Sequence, residues 1–492
     1  MPKAKPTLDR RRAGLLLHPT SLPGGPGNGD FGPDAYHFVD FMAAAGFTVW
    51  QTLPMGPTHE DRSPYQCLSV HAGSPLLISL DLLRQWGWLE GEGTLVEDFA
   101  LYRHARLVSA HRGFRERASD AEKAEYRRFI LDHAYWLADY ALFMAIKRET
   151  AGKPWWLWPE PLRDRVATSL EAARERLADT IEQVRFEQFL FFKQWREIKL
   201  YANQRGIQLF GDLPIFVAHD SADVWAHREY FKLDERGQPT VVAGVPPDYF
   251  SATGQRWGNP LYRWELMAED GYAWWRERMH TQIQLFDLVR IDHFRGFEAY
   301  WEVPAHENTA MNGRWVKAPG DSLFKTLLKE FHPLPVVAED LGLITEEVTA
   351  LREKYRLPGM KILQFAFDGN PHNPYLPHKQ EKNSVVYTGT HDNNTTVGWY
   401  EDLPADVQNR VHEYFGFPSD VMPWPLVRSA FGSVAKLAIV PMQDLLELDG
   451  SHRMNTPGTS AGNWRWRFTW KQVPEGLAQR LRGMIWLYGR EV

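Results

Sequence analysis

Four carboxylates fall where short apolar runs give way to polar turns. Asp292 closes Leu288-Val289-Arg290-Ile291 and Glu339 closes Val336-Val337-Ala338. Asp392 sits beside His391 just past Val385-Val386-Tyr387, and Asp212 ends Leu209-Phe210-Gly211. A lone ionisable group at such a place is often half of a structural salt bridge. Four of them on separate runs make a pattern that packing does not require. Asp292 lies among Arg290 and His293, and neighbouring cations favour the ionised, nucleophilic form of a carboxylate. Glu339 follows a wholly apolar run, where desolvation favours the protonated form.

Two carboxyl groups in those two states suit cleavage of a glycosidic bond with retention. Asp292 is expected to attack the anomeric carbon. Glu339 is expected to protonate the leaving oxygen and later to take a proton from the acceptor. Asp392 is a third carboxylate, placed to hydrogen-bond ring hydroxyls as oxocarbenium character develops, and the imidazoles of His293 and His391 can donate further bonds. The same oxygens could hold a divalent cation. A metal site would explain neither Arg290 nor the aromatic loops described below, so no metal is expected.

Positioning such groups takes many strand ends. Strands are expected at 13–18, 47–53, 208–212, 288–292, 336–339, 361–365, 385–388 and 437–442. Eight runs alternating with helices predict an α/β fold, a parallel (β/α)8 TIM barrel whose active site lies at the carboxyl ends of the strands. A doubly wound open sheet is the alternative, but it expects a glycine-rich first turn and a single switch crevice. The whole chain, 1–492, is read as one catalytic barrel domain. Two insertions interrupt it: 57–206, mostly helical by its Ala, Leu, Glu, Arg and Phe spacing, and 217–286. Trp155-Trp156-Leu157-Trp158-Pro159 in the first is read as packing rather than a sugar platform. The second carries a Gly/Pro/Asn-rich, aromatic stretch at 244–260 that resists regular structure and reads as an active-site lid. The loop 455–466 has the same character.

Bulk properties narrow the class. The chain has 492 residues and a net charge of −6, and no long basic tract, which disfavours a nucleic-acid partner. One cysteine, Cys67, rules out an intrachain disulfide framework and suits a reducing cytosol. The apolar run after the basic start is too short for a signal-peptide core, and nothing approaches a membrane span. A cytoplasmic protein compatible with a monomer is expected. Aromatic content is 13%, with 21 Trp, which makes a carbohydrate ligand easier to accommodate.

These segments, together with Leu17-His18-Pro19-Thr20-Ser21-Leu22-Pro23, Trp50-Gln51-Thr52-Leu53-Pro54 and Ser63-Pro64-Tyr65-Gln66, resemble glycoside hydrolase family 77, the 4-α-glucanotransferases (amylomaltases or disproportionating enzymes). The likeness covers nearly the whole chain. It implies a retaining barrel enzyme without metal or organic cofactor that moves α-1,4-glucan segments from maltooligosaccharide or amylose donors to glucose or glucan acceptors. It implies Asp292 as nucleophile, Glu339 as acid/base and Asp392 as transition-state stabiliser. Arg290, His293 and His391 would hold the sugar at the cleaved bond. Tyr65, Asp212, Asp368 and Asn463 would line donor and acceptor subsites, and Gln255 and Trp257 would belong to the lid. Two departures stand out. His59-Glu60-Asp61-Arg62 replaces the family's Gly-aromatic-Gly before Ser-Pro-Tyr, and Asn394 replaces the second aspartate of its His-Asp-Asn-Asp-Thr turn.

Overall fold

The computed structural model describes residues 8–93, 97–248 and 251–491; Tyr249 and Phe250 of the expected lid and residues 1–7 of the basic start lie outside the described residues. Twelve strands are present among them. They are β1 (Arg12–Leu16), β2 (Val49–Gln51), β3 (Gln208–Pro214), β4 (Val241–Val245), β5 (Gln255–Pro260), β6 (Leu288–Asp292), β7 (Ala299–Pro304), β8 (Arg314–Lys317), β9 (Val336–Ala338), β10 (Gly359–Ile362), β11 (Ser384–Tyr387) and β12 (Leu437–Pro441). Each of the eight expected strands overlaps one of these. Those eight form a parallel sheet in the order β10-β11-β12-β1-β2-β3-β6-β9. The ends meet where the Ala338 N–H donates to the Pro358 carbonyl at 2.9 Å, closing the (β/α)8 barrel.

The two-residue period of a strand decides which side chains enter the barrel. Phe210, Leu288, Val337 and Val385 belong to the cluster that fills its interior, with contributions from all eight strands. Their neighbours Leu209, Val289, Val336, Ala338 and Val386 join the larger shell beneath the helices. Counting on by twos from the interior residues puts Asp212, then Arg290 and Asp292, and then Glu339 on the inner side at the carboxyl ends. The 288–292 run thus reads as alternation, with a guanidinium inside the barrel.

Among the described residues between β2 and β3 come seven α-helices, the longest being the 27-residue Ala178–Gln204. It is buried on more than one side, with Phe186, Phe189, Leu190, Trp195 and Ile198 enclosed together with Gln188 and Gln194. Trp155 and Trp158 are buried, donating to the His219 and Lys153 carbonyls, and Trp156 stacks on His219 at 3.9 Å. This cluster packs the insertion onto the loop after β3.

A second sheet, β5-β4-β7-β8, was not expected. The 244–260 stretch reads as irregular by composition, yet its arms pair antiparallel, Gly244 opposite Arg256 and Val245 opposite Gln255. β4 is steadied on its other edge by β7, through Val241–Pro304 to Gly244–Trp301. That support comes from residues after β6, so no local signal announces it. Among the described residues no helix is long and apolar enough to cross a membrane.

Candidate active site

At the barrel's carboxyl end Arg290 occupies the space between two carboxylates. Its Nη1 donates to both oxygens of Asp212, at 2.8 and 2.7 Å, and its Nη2 donates to Asp292 Oδ1 at 2.8 Å. Burial opposes the guanidinium charge, but Asp212 and Asp292 outweigh it and hold the group well above its ordinary value. Arg290 is therefore a fixed cation that also fixes where the Asp292 carboxylate points. A planar guanidinium can grip two partners in this way; an ammonium cannot.

Asp212 accepts a further bond, from Tyr65 Oη at 2.8 Å. That uses the phenol's proton, so the Tyr65 oxygen accepts from His391 Nε2, also at 2.8 Å. The two rings stack with centroids 5.2 Å apart. Burial and the Asp212 charge push the Tyr65 phenol well up, which keeps its proton in place. A continuous chain thus runs from His391 through Tyr65, Asp212 and Arg290 to Asp292.

His391 Nε2 lies 3.4 Å from Asp392 Oδ2, whose side chain is 48% exposed to the cleft. Asp392 Oδ1 accepts from Asn455 Nδ2 at 2.7 Å, and its carbonyl accepts from Arg453 Nη2 at 2.9 Å. Desolvation raises this carboxyl, but His391, Asn455 and Arg290 outweigh it and hold it at about 2. It is a carboxylate at any physiological pH.

Glu339 takes the opposite state. Ile291 pairs with Ala338 across β6 and β9, so Asp292 and Glu339 leave adjacent parallel strands at the same level. The Glu339 N–H donates to the Ile291 carbonyl at 3.0 Å. Its Oε2 accepts from the His293 N–H at 2.7 Å and its Oε1 from the Leu341 N–H at 2.9 Å. Burial and the Asp292 charge push the carboxyl up to about 7, against Arg290 and these two amides. His293 supplies its N–H by adopting the left-handed region, φ 52 and ψ 50. A non-glycine residue there is uncommon, and such strain gathers at functional sites. Burial holds the His293 ring neutral, near 4, and among the described residues its Nε2 has no hydrogen-bond partner.

Trp257 on β5 sets its ring edge-on to His293 at 4.8 Å and donates from Nε1 to Gln255 Oε1 at 3.1 Å. The hairpin is thereby tied to the cluster. Ten of the twelve expected site residues are thus brought together, in two bonded groups that meet at the Asp292–His293 peptide: Tyr65, Asp212, Arg290, Asp292, His391 and Asp392 in one, and His293, Glu339, Gln255 and Trp257 in the other. Asp368 stands apart in an exposed turn, accepting from the Asn370 N–H at 2.9 Å. Asn463 spends its amide inside its own loop, accepting from the Thr456 N–H and donating to the Thr459 carbonyl. Asn455 and Arg453 were missed. The composition of the 455–466 loop flagged the segment, but which amide reaches Asp392 is a tertiary fact.

The departures from the family pattern have local accounts. Arg62 lies over the Phe99 ring at 5.1 Å, filling the place before Ser63-Pro64-Tyr65 with a cation–π contact. Asn394 donates to Asp402 at 2.9 Å and, through its carbonyl, accepts from Gln364, away from the carboxylate pair. Among the described residues no group of three or more His, Cys, Asp or Glu is arranged around a metal position. Arg290 fills the space between Asp212 and Asp292 instead.

Comparison with known proteins adds an independent line. A sequence model of glycoside hydrolase family 77, described as 4-alpha-glucanotransferase, matches residues 17–472. The chain is 49% identical over 489 residues to the 4-alpha-glucanotransferase of Thermus thermophilus, covering 96% of this chain and 98% of that one. It is also 49% identical to the Synechocystis enzyme of that name, covering 99% of each. A solved amylomaltase from Streptococcus agalactiae, in complex with acarbose, superposes with a TM-score of 0.94 at 37% identity, covering 98% of this chain and 100% of that one. With the fold, the inward-facing carboxylates and these likenesses in agreement, the chain belongs to glycoside hydrolase family 77, the 4-alpha-glucanotransferases, and is a transferase.

Proposed function

We propose that the protein transfers α-1,4-glucan segments from maltooligosaccharide or amylose donors to glucose or glucan acceptors by a retaining double displacement. In the first step an Asp292 oxygen attacks the anomeric carbon. The bond from that carbon to the leaving O4 breaks, its electron pair staying on O4, which takes the Glu339 proton. In the second step Glu339, now a carboxylate, takes the proton of an acceptor 4-hydroxyl. That oxygen bonds to the anomeric carbon and the ester to Asp292 breaks.

Asp392, ionised throughout, hydrogen-bonds the ring hydroxyls as positive charge builds on the sugar. Arg290 aims the nucleophile, while His293 Nε2 and His391 meet sugar hydroxyls. Tyr65 and Asp212 wall the site, Gln255 and Trp257 face the acceptor, and Asp368 and Asn463 serve outlying glucose units. The 57–206 and 217–286 insertions border one catalytic barrel domain. The reaction belongs in the cytoplasm, given one thiol and no disulfide framework.

One observation carries this reading. Asp292 and Glu339 end neighbouring parallel strands at the same level, so their side chains leave the barrel side by side, as the paired carboxyls of a retaining enzyme must, and Glu339 sits near 7 beside an Arg-paired Asp292. The test is covalent trapping. Glu339→Gln with α-maltotriosyl fluoride, whose leaving group needs no proton, should accumulate protein heavier by one maltotriosyl unit on the peptide holding Asp292. Wild type with maltotriose should give glucose plus a ladder of longer oligomers. No adduct, or an adduct elsewhere, overturns the assignment.

A further inference from the structure

Asp392 and His391 ride on a loop, 389–395, that leaves β11 and re-enters structure at the helix Thr396–Glu401. Such a loop has no fixed width of its own. Its two flanking residues, Thr388 and Thr396, are fully buried, and both bond to one side chain from elsewhere in the barrel. That side chain is Asp444, on the short helix Met442–Leu445 directly after β12. Asp444 Oδ1 accepts from the Thr396 N–H at 2.7 Å. Its Oδ2 accepts from Thr396 Oγ1 at 2.6 Å and from Thr388 Oγ1 at 2.7 Å.

Asp444 is 1% exposed. Among the described residues no cation lies within ion-pair distance of it, so three short bonds from the two threonines replace a counter-charge. Burial nonetheless pushes its carboxyl up. A buried carboxylate held only by neutral donors is costly to keep. Plain packing would be served as well by an apolar residue, so the three bonds, which bridge both ends of one functional loop, mark the reason for its presence. Other contacts then set the loop's interior. Thr390 donates to Asn393 Oδ1 from both N–H and Oγ1, and Gln364 Nε2 donates to the Asn394 carbonyl at 2.9 Å.

We propose that Asp444 is a positioning residue for transfer: by clamping Thr388 and Thr396 it sets the mouth of the 389–395 loop and so the placement of the Asp392 carboxylate against the charge that develops on the sugar. This rests on the reading of Asp392 as transition-state stabiliser. Misplacing such a group by an ångström is enough to cost about a hundredfold in rate. It acts after binding, so the loss should fall on kcat rather than KM.

The test is a double-mutant cycle in the full-length enzyme, with α-maltotriosyl fluoride as donor, glucose as acceptor and fluoride release as readout. Asp444→Asn should lower kcat about 10- to 100-fold with KM within about twofold. Thr388→Val, which removes one of the three bonds and preserves shape, should give a smaller loss of the same kind; it replaces Asp444→Asn in the cycle if that variant does not fold. In an Asp392→Asn background either change should cost less than about threefold, because the group being placed is gone. A folded Asp444→Asn or Thr388→Val with wild-type kcat overturns the clamp, as does an equal loss in both backgrounds. Wild-type activity of Asp392→Asn alone instead removes the reading of Asp392.

Discussion

Glu339 keeps its proton near neutral pH because its oxygens sit in a desolvated pocket beside Asp292, with only two backbone amides and Arg290 pulling the other way. This has a cost in stability whose sign is fixed. An ordinary glutamate titrates at 4.5, whereas here the value is about 7, so the folded protein holds this proton more tightly than the unfolded chain does. The stabilisation is complete below about 4.5 and is lost as pH rises through about 7. Glu339→Gln, always neutral but able to accept at only one of the two positions that meet the His293 and Leu341 amides, should therefore be less stable than wild type near pH 4, and the difference should move in its favour by on the order of 1–3 kcal/mol on going to pH 8. Its transfer from maltotriose should fall by roughly 10³-fold or more. Wild-type kcat/KM should decline above about pH 7 as the acid is lost. Unfolding free energies and initial rates over that range decide it; a difference between variant and wild type that does not move in the variant's favour from pH 4 to pH 8 would contradict the desolvated setting. This state was legible from Val336-Val337-Ala338, since an apolar run predicts desolvation of the group that ends it. The partners of Asp392 were not, because Asn455 is 63 residues away and no spacing rule connects them.

The eight barrel strands were legible for the same reason that they are stable: β-branched and apolar residues in short runs, separated by helical spacing, have few other ways to bury themselves. The second sheet was hidden because β4 finds β7 only after the chain has passed through β6. On the proposed mechanism, that sheet bears on the choice between transfer and hydrolysis. Water competes for the glycosyl-enzyme at ~55 M, and an acceptor wins only when bound and aligned, where effective molarities reach on the order of 10⁵ M or more. The β4–β5 hairpin reaches the site through Trp257, whose ring meets His293 edge-on. Excluding water over the acceptor side is the role this placement suits. Replacing 247–253 with an Asn-Gly turn keeps both arms and removes the tip. Free reducing ends released from maltotriose, relative to disproportionated products, should then rise several-fold while Asp292-dependent glycosylation by the fluoride donor persists. An unchanged ratio would assign water exclusion to the 455–466 loop instead.

At the scale of the whole molecule, the long helix Ala178–Gln204 is tied to the stretch after β2 that carries Tyr65. The helix Ala178–Gln204 was recognisable as buried on more than one side from Phe186, Phe189, Leu190 and Phe191, but its glutamines gave no hint of their partners, 115 residues back in the chain. Gln188 accepts from the Gly73 N–H at 2.8 Å and donates to the Gly73 carbonyl at 2.9 Å; Gln194 does the same at Ser79, at 2.8 and 3.1 Å. Each amide thus stands in for a neighbouring strand, satisfying both backbone groups of a residue too deep to reach water. Gly73 permits the approach, since a Cβ there would lie 2.1 Å from the Phe191 ring. Gln188→Leu keeps the bulk and orphans one N–H and one carbonyl, which should cost about 2–4 kcal/mol. Gly73→Ala should push the same backbone off the helix and break the same pair of bonds. Urea unfolding should therefore find both single variants destabilised and the double variant well short of their sum, because the second change removes what the first has already lost. Full additivity would mean that Gly73 and Gln188 support the Tyr65 loop independently, and that the paired amide bonds do not couple the helix to it.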